Sequence, residues 1–133
     1  MKKPLLILSL LLSTTTFSSL SFGEYELVDF VEGTKYFIDF DRIRKARGKV
    51  YAWMMQSFPE QTESGIGSIE AYNEVECELF RLRIIRYNAF AQDLARGTPF
   101  TSFNEENPEW VYPRPNSVNE TQLSSVCDYV NSN

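Results

Sequence analysis

The sequence predicts an α+β domain, an antiparallel sheet with one C-terminal helix packed on one face and held there by a disulfide. Three observations carry this reading. Short aromatic and β-branched runs alternate with polar residues and are separated by glycine- or proline-containing segments, which is the pattern of strands. One stretch near the C-terminus has helical periodicity, with Leu123, Val126, Cys127 and Val130 at i, i+3, i+4 and i+7. The only two cysteines, Cys77 and Cys127, fall one in a strand-like run and the other on that helical stripe.

Residues 1–23 read as a secretory signal peptide. Lys2 and Lys3 form the positive start, Leu5–Leu12 the apolar run, and Ser21 and Gly23 the small residues before cleavage. The apolar run is too short for a transmembrane helix, and no cysteine lies near the cleavage site to carry a lipid. The expected mature domain is Glu24–Asn133, which is 110 of the 133 residues and enough for one modest core. Export places both cysteines in an oxidising compartment, where pairing is the default. Loss of Lys2 and Lys3 takes the net charge from −5 to −7. An acidic chain of this kind does not suit nucleic acid or an anionic membrane surface, and no membrane insertion is expected once the signal is removed.

The strands follow in order. Glu24–Val31 puts Tyr25, Leu27 and Asp29 on one face and Val28 and Phe30 on the other. Gly33 breaks the run, and Lys35–Phe40 forms a second strand. Arg42–Lys49 carries five basic residues in eight positions; it reads as a solvated loop, with a patch for an anionic ligand as the rival reading. Val50–Phe58 is the next strand, with Trp53 its heaviest candidate for burial, and Pro59–Ser68 is a polar loop.

Ile69–Gln92 is the most informative stretch. Val75 and Cys77 share one face, while Glu74, Glu76 and Glu78 share the other and read as a solvent face. A tight turn at Leu79-Phe80 would pair Glu78 with Arg81, Glu76 with Arg83, Cys77 with Leu82 and Val75 with Ile84. Leu79-Phe80 lacks the glycine or asparagine that a two-residue hairpin prefers, so a wider loop or one long irregular strand stays open. Phe100–Phe103 reads as a short strand, Asn104–Glu109 as an acidic loop and Trp110–Tyr112 as a brief extended piece. Pro113 and Pro115 keep the chain extended up to Ser117-Val118-Asn119-Glu120, which fits a capping box at the start of the helix.

These features together resemble the bacterial surface-adhesin protein E-like family. The resemblance rests on the YFIDF strand at 36–40, the strand around Trp53, CELFRLR at 77–83, Trp110, and the proline-serine helix start at 115–120 followed by Val126-Cys127. It spans nearly all of residues 24–133. It implies an antiparallel sheet of about six strands, with the C-terminal helix held on the concave face by the disulfide. It also implies surface exposure and binding of host extracellular-matrix and serum proteins and epithelial cells. The chain departs from the best-known member in lacking a lipid-attachment cysteine and in being acidic.

The absence of histidine removes the usual general base, metal ligand and pH switch together. Catalytic, cofactor-binding and metal-binding residues are each expected to be none. Asp39-x-Asp41 and Asn104–Asn107 offer hard oxygen ligands, but they read as a strand end and a solvated loop. With the helix on one face of the sheet, Tyr72, Ile85 and Tyr87 are assigned to the other face as a contact surface. The function expected is an exported, non-enzymatic interaction module, adhesin-like, that binds host or extracellular proteins. The rivals are a periplasmic binding or structural protein with no surface role and a small secreted hydrolase.

Overall fold

The computed structural model describes residues 24–132. The expected signal peptide, residues 1–23, lies outside the described residues. The sheet has seven antiparallel strands: β1 Tyr25–Val31, β2 Thr34–Asp39, β3 Arg44–Ala46, β4 Lys49–Ser57, β5 Ser68–Glu76, β6 Arg81–Phe90 and β7 Thr101–Asn104. One helix, α1, covers Val118–Ser132. The strands run β1-β2-β4-β5-β6-β7 across the sheet, and β3 pairs with the start of β4. A 3-10 turn at Phe40–Arg42 separates β2 from β3, so both lie along β4.

Two hairpins are closed by two-residue turns with both central φ angles positive. These are Glu32-Gly33 (51° and 85°) between β1 and β2, and Arg47-Gly48 (53° and 76°) between β3 and β4. That geometry matches the twist of the flanking strands. The basic stretch 42–49 is therefore a turn and a hairpin rather than a loop. Gly67 has another use. A Cβ there would stand 2.4 Å from the Ala91 carbonyl oxygen, so only glycine lets β5 start against the end of β6.

The hairpin between β5 and β6 differs from the tight turn. Its loop is four residues, Cys77–Phe80, and only Phe80 takes positive φ (48°). Leu79-Phe80 does not supply two such positions, so the turn widens and the register moves by two. The observed pairs are Glu76 with Arg81, Val75 with Leu82 and Glu74 with Arg83. A two-residue shift keeps every side chain on its face, so charge still meets charge. Glu78 falls outside the ladder, and Cys77 sits in the turn.

Beneath α1, Leu123, Val126 and Cys127 join Ile38, Val50, Ala52, Met54, Val75 and Leu82 in one core, and Leu123 and Val126 are fully buried. The Ser117 half of the capping box is present, while its Glu120 half reaches one residue further back than expected. Ser117 Oγ accepts from the Glu120 amide at 3.2 Å, and the Asn116 amide donates to Glu120 Oε1 at 3.2 Å. Cys77 and Cys127 form the disulfide, with Cα atoms 5.7 Å apart. At the other end of the helix, Lys45 Nζ donates to the Val130 carbonyl at 3.2 Å, a cation where the helix leaves carbonyls unpaired.

Candidate functional site

Strand register sorts the side chains into a face beneath α1 and an open face. Tyr51, Trp53 and Met55 of β4 lie opposite Glu74, Tyr72 and Glu70 of β5, and all six belong to the open face. Trp53 is therefore half-buried on the open face and is not part of the core. The aromatic and cationic groups there are in contact. Tyr72 has its ring centroid 5.0 Å from Trp53 and 5.7 Å from Tyr51. Arg42 lies 5.3 Å from the Trp53 ring, and Arg44 lies 5.2 Å from the Tyr51 ring. Further along β6, Arg81 and Arg83 hold Trp110 at 4.0 Å and 4.3 Å. The extended piece at Trp110–Tyr112 is positioned by a two-way backbone bridge between Val111 and Leu82.

The carboxylates on this face are occupied. Asp39, fully buried, caps the 3-10 turn by accepting from the Asp41 and Arg42 amides and pairs with the Arg42 guanidinium. These contacts make Asp39 a cap of the 3-10 turn. Glu70 accepts from Tyr25 Oη at 2.9 Å and from Asn88 Nδ2 at 2.9 Å. Burial first, then the Glu70 carboxylate, pushes the Tyr25 phenol well above its ordinary value. Glu76 pairs with Arg81 at 2.9 Å.

Glu74 is buried, in contrast to the solvent position expected of it. Lys49 Nζ stands 2.8 Å from Oε1, and Arg83 Nε donates to Oε2 at 2.7 Å. Burial alone would raise this carboxyl, but the Lys49 and Arg83 contacts outweigh it and hold it below the ordinary carboxylate range. A carboxyl whose folded value is depressed stabilises fully above its unfolded value, about 4.3, and loses that contribution as pH falls through the folded value. Glu74→Gln is thus expected to unfold at lower urea concentration than the parent at pH 7. The gap should close below about pH 4. A gap that is equal at pH 7 and pH 3 would contradict the ion-pair account.

Tyr72, Ile85 and Tyr87 do not share one face. Between Asn73↔Ile84 and Tyr72↔Arg86 the register skips a residue, which leaves Ile85 as the extra residue of a β-bulge. A bulge reverses the alternation beyond it. Before it, Arg81 and Arg83 face the open side; after it, Arg86 and Asn88 do. Tyr72 stays on the open face. Tyr87, opposite Ala71, lies on the helix side with its ring 5.4 Å from Phe103. A second bulge, at Val28, sends Phe30 to the side of Tyr25 and Leu27 and turns Asp29 to the helix side.

The face under the helix is not fully covered. Beside the first turns of α1 a hollow of about 620 Å³ is lined by Met54, Ile69, Ala71, Ile84, Tyr87 and Val118 among others. A second, of about 550 Å³, lies by the disulfide between the β3–β4 turn and the Cys77–Leu79 turn. Among the described residues, no group of three or more acidic or cysteine side chains could hold a metal ion, and no helix is long and apolar enough to cross a membrane.

Comparison with known proteins agrees with this architecture. Similar solved structures include crystal form II of Haemophilus influenzae protein E, which is 13% identical with a TM-score of 0.58, covering 76% of this chain and 91% of that one. A further structure of Haemophilus influenzae protein E is 13% identical with a TM-score of 0.54 over 80% and 92% of the two chains. Protein E from non-typeable Haemophilus influenzae is 12% identical, with a TM-score of 0.52 over 80% and 78%. At that identity the likeness concerns the fold. No curated protein matches the chain. The model of one family, surface-adhesin protein E, matches residues 25–128. The chain, with its helix stapled to a strand turn and its sheet left open on the other side, belongs to the surface-adhesin protein E family.

Proposed function

We propose that the protein is an exported, non-enzymatic surface module that binds a host or extracellular protein through the open face of its sheet. The observation that carries this reading is the cluster of Arg42, Arg44, Tyr51, Trp53 and Tyr72, with Trp110 between Arg81 and Arg83 beside it. Arginine, tryptophan and tyrosine are the residues that dominate binding energy at protein interfaces. Here they are half-exposed and already ordered by one another, so little side-chain freedom is lost on docking. Glu74 and Glu76 on the same face are each tied to an arginine. Family membership supports the surface role.

The test uses cells that display the chain and an epithelial monolayer. Trp53→Ala and Tyr72→Ala are expected to lower adherence at least tenfold, as truncation of an interface anchor costs about 2 kcal/mol or more. Ile84→Ser, on the helix side, should adhere like the parent. Equal adherence by all three variants, with the parent's display level and circular dichroism, would exclude the open face.

A further inference from the structure

The charge on the open face differs from that of the chain as a whole. The sequence is acidic, yet each carboxylate of this face is already held: Asp39 by Arg42, Glu70 by Tyr25 and Asn88, Glu74 by Lys49 and Arg83, Glu76 by Arg81. Two arginines remain over. Arg44 and Arg86 are exposed and, among the described residues, neither has a carboxylate partner. Arg44 lies over Tyr51, and Arg86 is the cross-strand neighbour of Tyr72. The two are thus joined by the Tyr51–Tyr72 pair. Glu105 and Glu106 follow Asn104, the other cross-strand neighbour of Arg86; they are exposed and form no ion pair with it.

From this arrangement we infer that the partner presents an acidic, extended protein segment, and that Arg44 and Arg86 each take one of its carboxylates. The inference rests on the open-face reading above and adds the chemistry of what docks there. Arg44 on β3 and Arg86 on β6 are three strand spacings apart, with a further offset along the strands, which is about 15 Å. An extended chain advances about 3.3 Å per residue and keeps two side chains on one face only at even separations, so the two carboxylates would be four residues apart. A guanidinium accepts a carboxylate through two parallel hydrogen bonds, which fixes orientation as well as charge. The stacked tyrosines between them would contact the intervening side chains. The bulge at Ile85 is what makes this possible: without it Arg86 would face the helix side.

The experiment uses the exported chain and an immobilised array of extended peptides. Each peptide carries two glutamates separated by one to seven positions on a serine background, and immobilised heparin stands beside them. The parent is expected to bind best at a separation of four, with five weaker because its second glutamate points away, and to lose at least tenfold in signal when salt is raised from about 50 to about 500 mM to screen exposed pairs. Arg44→Gln with Arg86→Gln should lower that signal at least tenfold. Arg114→Gln, exposed ahead of the helix, should leave it unchanged. A response independent of spacing, or one that survives the double variant, would overturn the inference. So would heparin binding that depends on the same arginines while the peptides stay silent, because the ligand would then be a sulfated glycan. If Trp53→Ala and Tyr72→Ala abolish adherence while the arginine variants adhere like the parent, the open face stands and the acidic partner falls.

Discussion

Cys127→Ser is expected to lower the stability of the exported protein by about 4 kcal/mol. The disulfide closes a loop with a sequence separation of 50, and the chain-entropy model gives that figure for a loop of this length. A domain of this size has about 5–15 kcal/mol in total, so the loss is a large fraction, and the melting temperature should fall by about 15 °C or more. Cys77→Ser should do the same, since either change opens the same loop. The measurement is urea unfolding of parent and variant under non-reducing conditions, with dithiothreitol added to the parent as a third arm. If reduction of the parent leaves its midpoint unchanged, the bond does not hold the helix.

Leu123→Ala is the second large effect, expected at about 3 kcal/mol. Leu123 is fully buried in the middle of α1, against the core residues of β2, β4 and β5. Its truncation removes apolar contact and leaves a cavity that the cross-linked helix cannot close by sliding, because Cys127 one turn later is fixed to the β5–β6 turn. Leu27→Ala is the matching control, because Leu27 is 55% exposed on an edge strand; it should change stability by no more than about 0.5 kcal/mol. Similar losses for the two leucines would place the core elsewhere.

Local rules carried much of this structure. The Ser117 cap and the stripe of Leu123, Val126 and Cys127 depend only on neighbours in sequence, and both are observed. The alternation of Glu74 and Glu76 with Val75 and Cys77 set the faces correctly even though the turn was two residues too tight. What was not legible depends on non-local or backbone detail. A bulge leaves no clear residue signature, so the reversal at Ile85 that separates Tyr72 from Tyr87 could not be read. Glu74 looked solvent-exposed because its burial comes from Lys49, a residue 25 positions earlier, across the β4–β5 pair. Trp53 reads as core because large apolar residues usually are; here its ring packs at a tilt against Tyr72 and lies under Arg42 instead. Arg44 is paired opposite Tyr51, whereas Arg42 reaches Trp53 from the 3-10 turn, a placement that strand spacing does not show.

The strand order has a consequence for how the chain assembles. Each of the long strands pairs with the one nearest to it in sequence, so β1-β2-β4-β5-β6-β7 is a simple meander. Such a sheet can grow hairpin by hairpin, with each step closing only a short loop at low entropic cost. The helix is the exception. It comes last in the chain and packs across β1 and β2, which come first. Its docking is therefore the step that joins the last described element to the first. Until α1 arrives, the apolar side of the meander has no cover and Cys77 has no thiol to meet. The bond that staples the helix is in that sense also a record that the last element has found its place on the first.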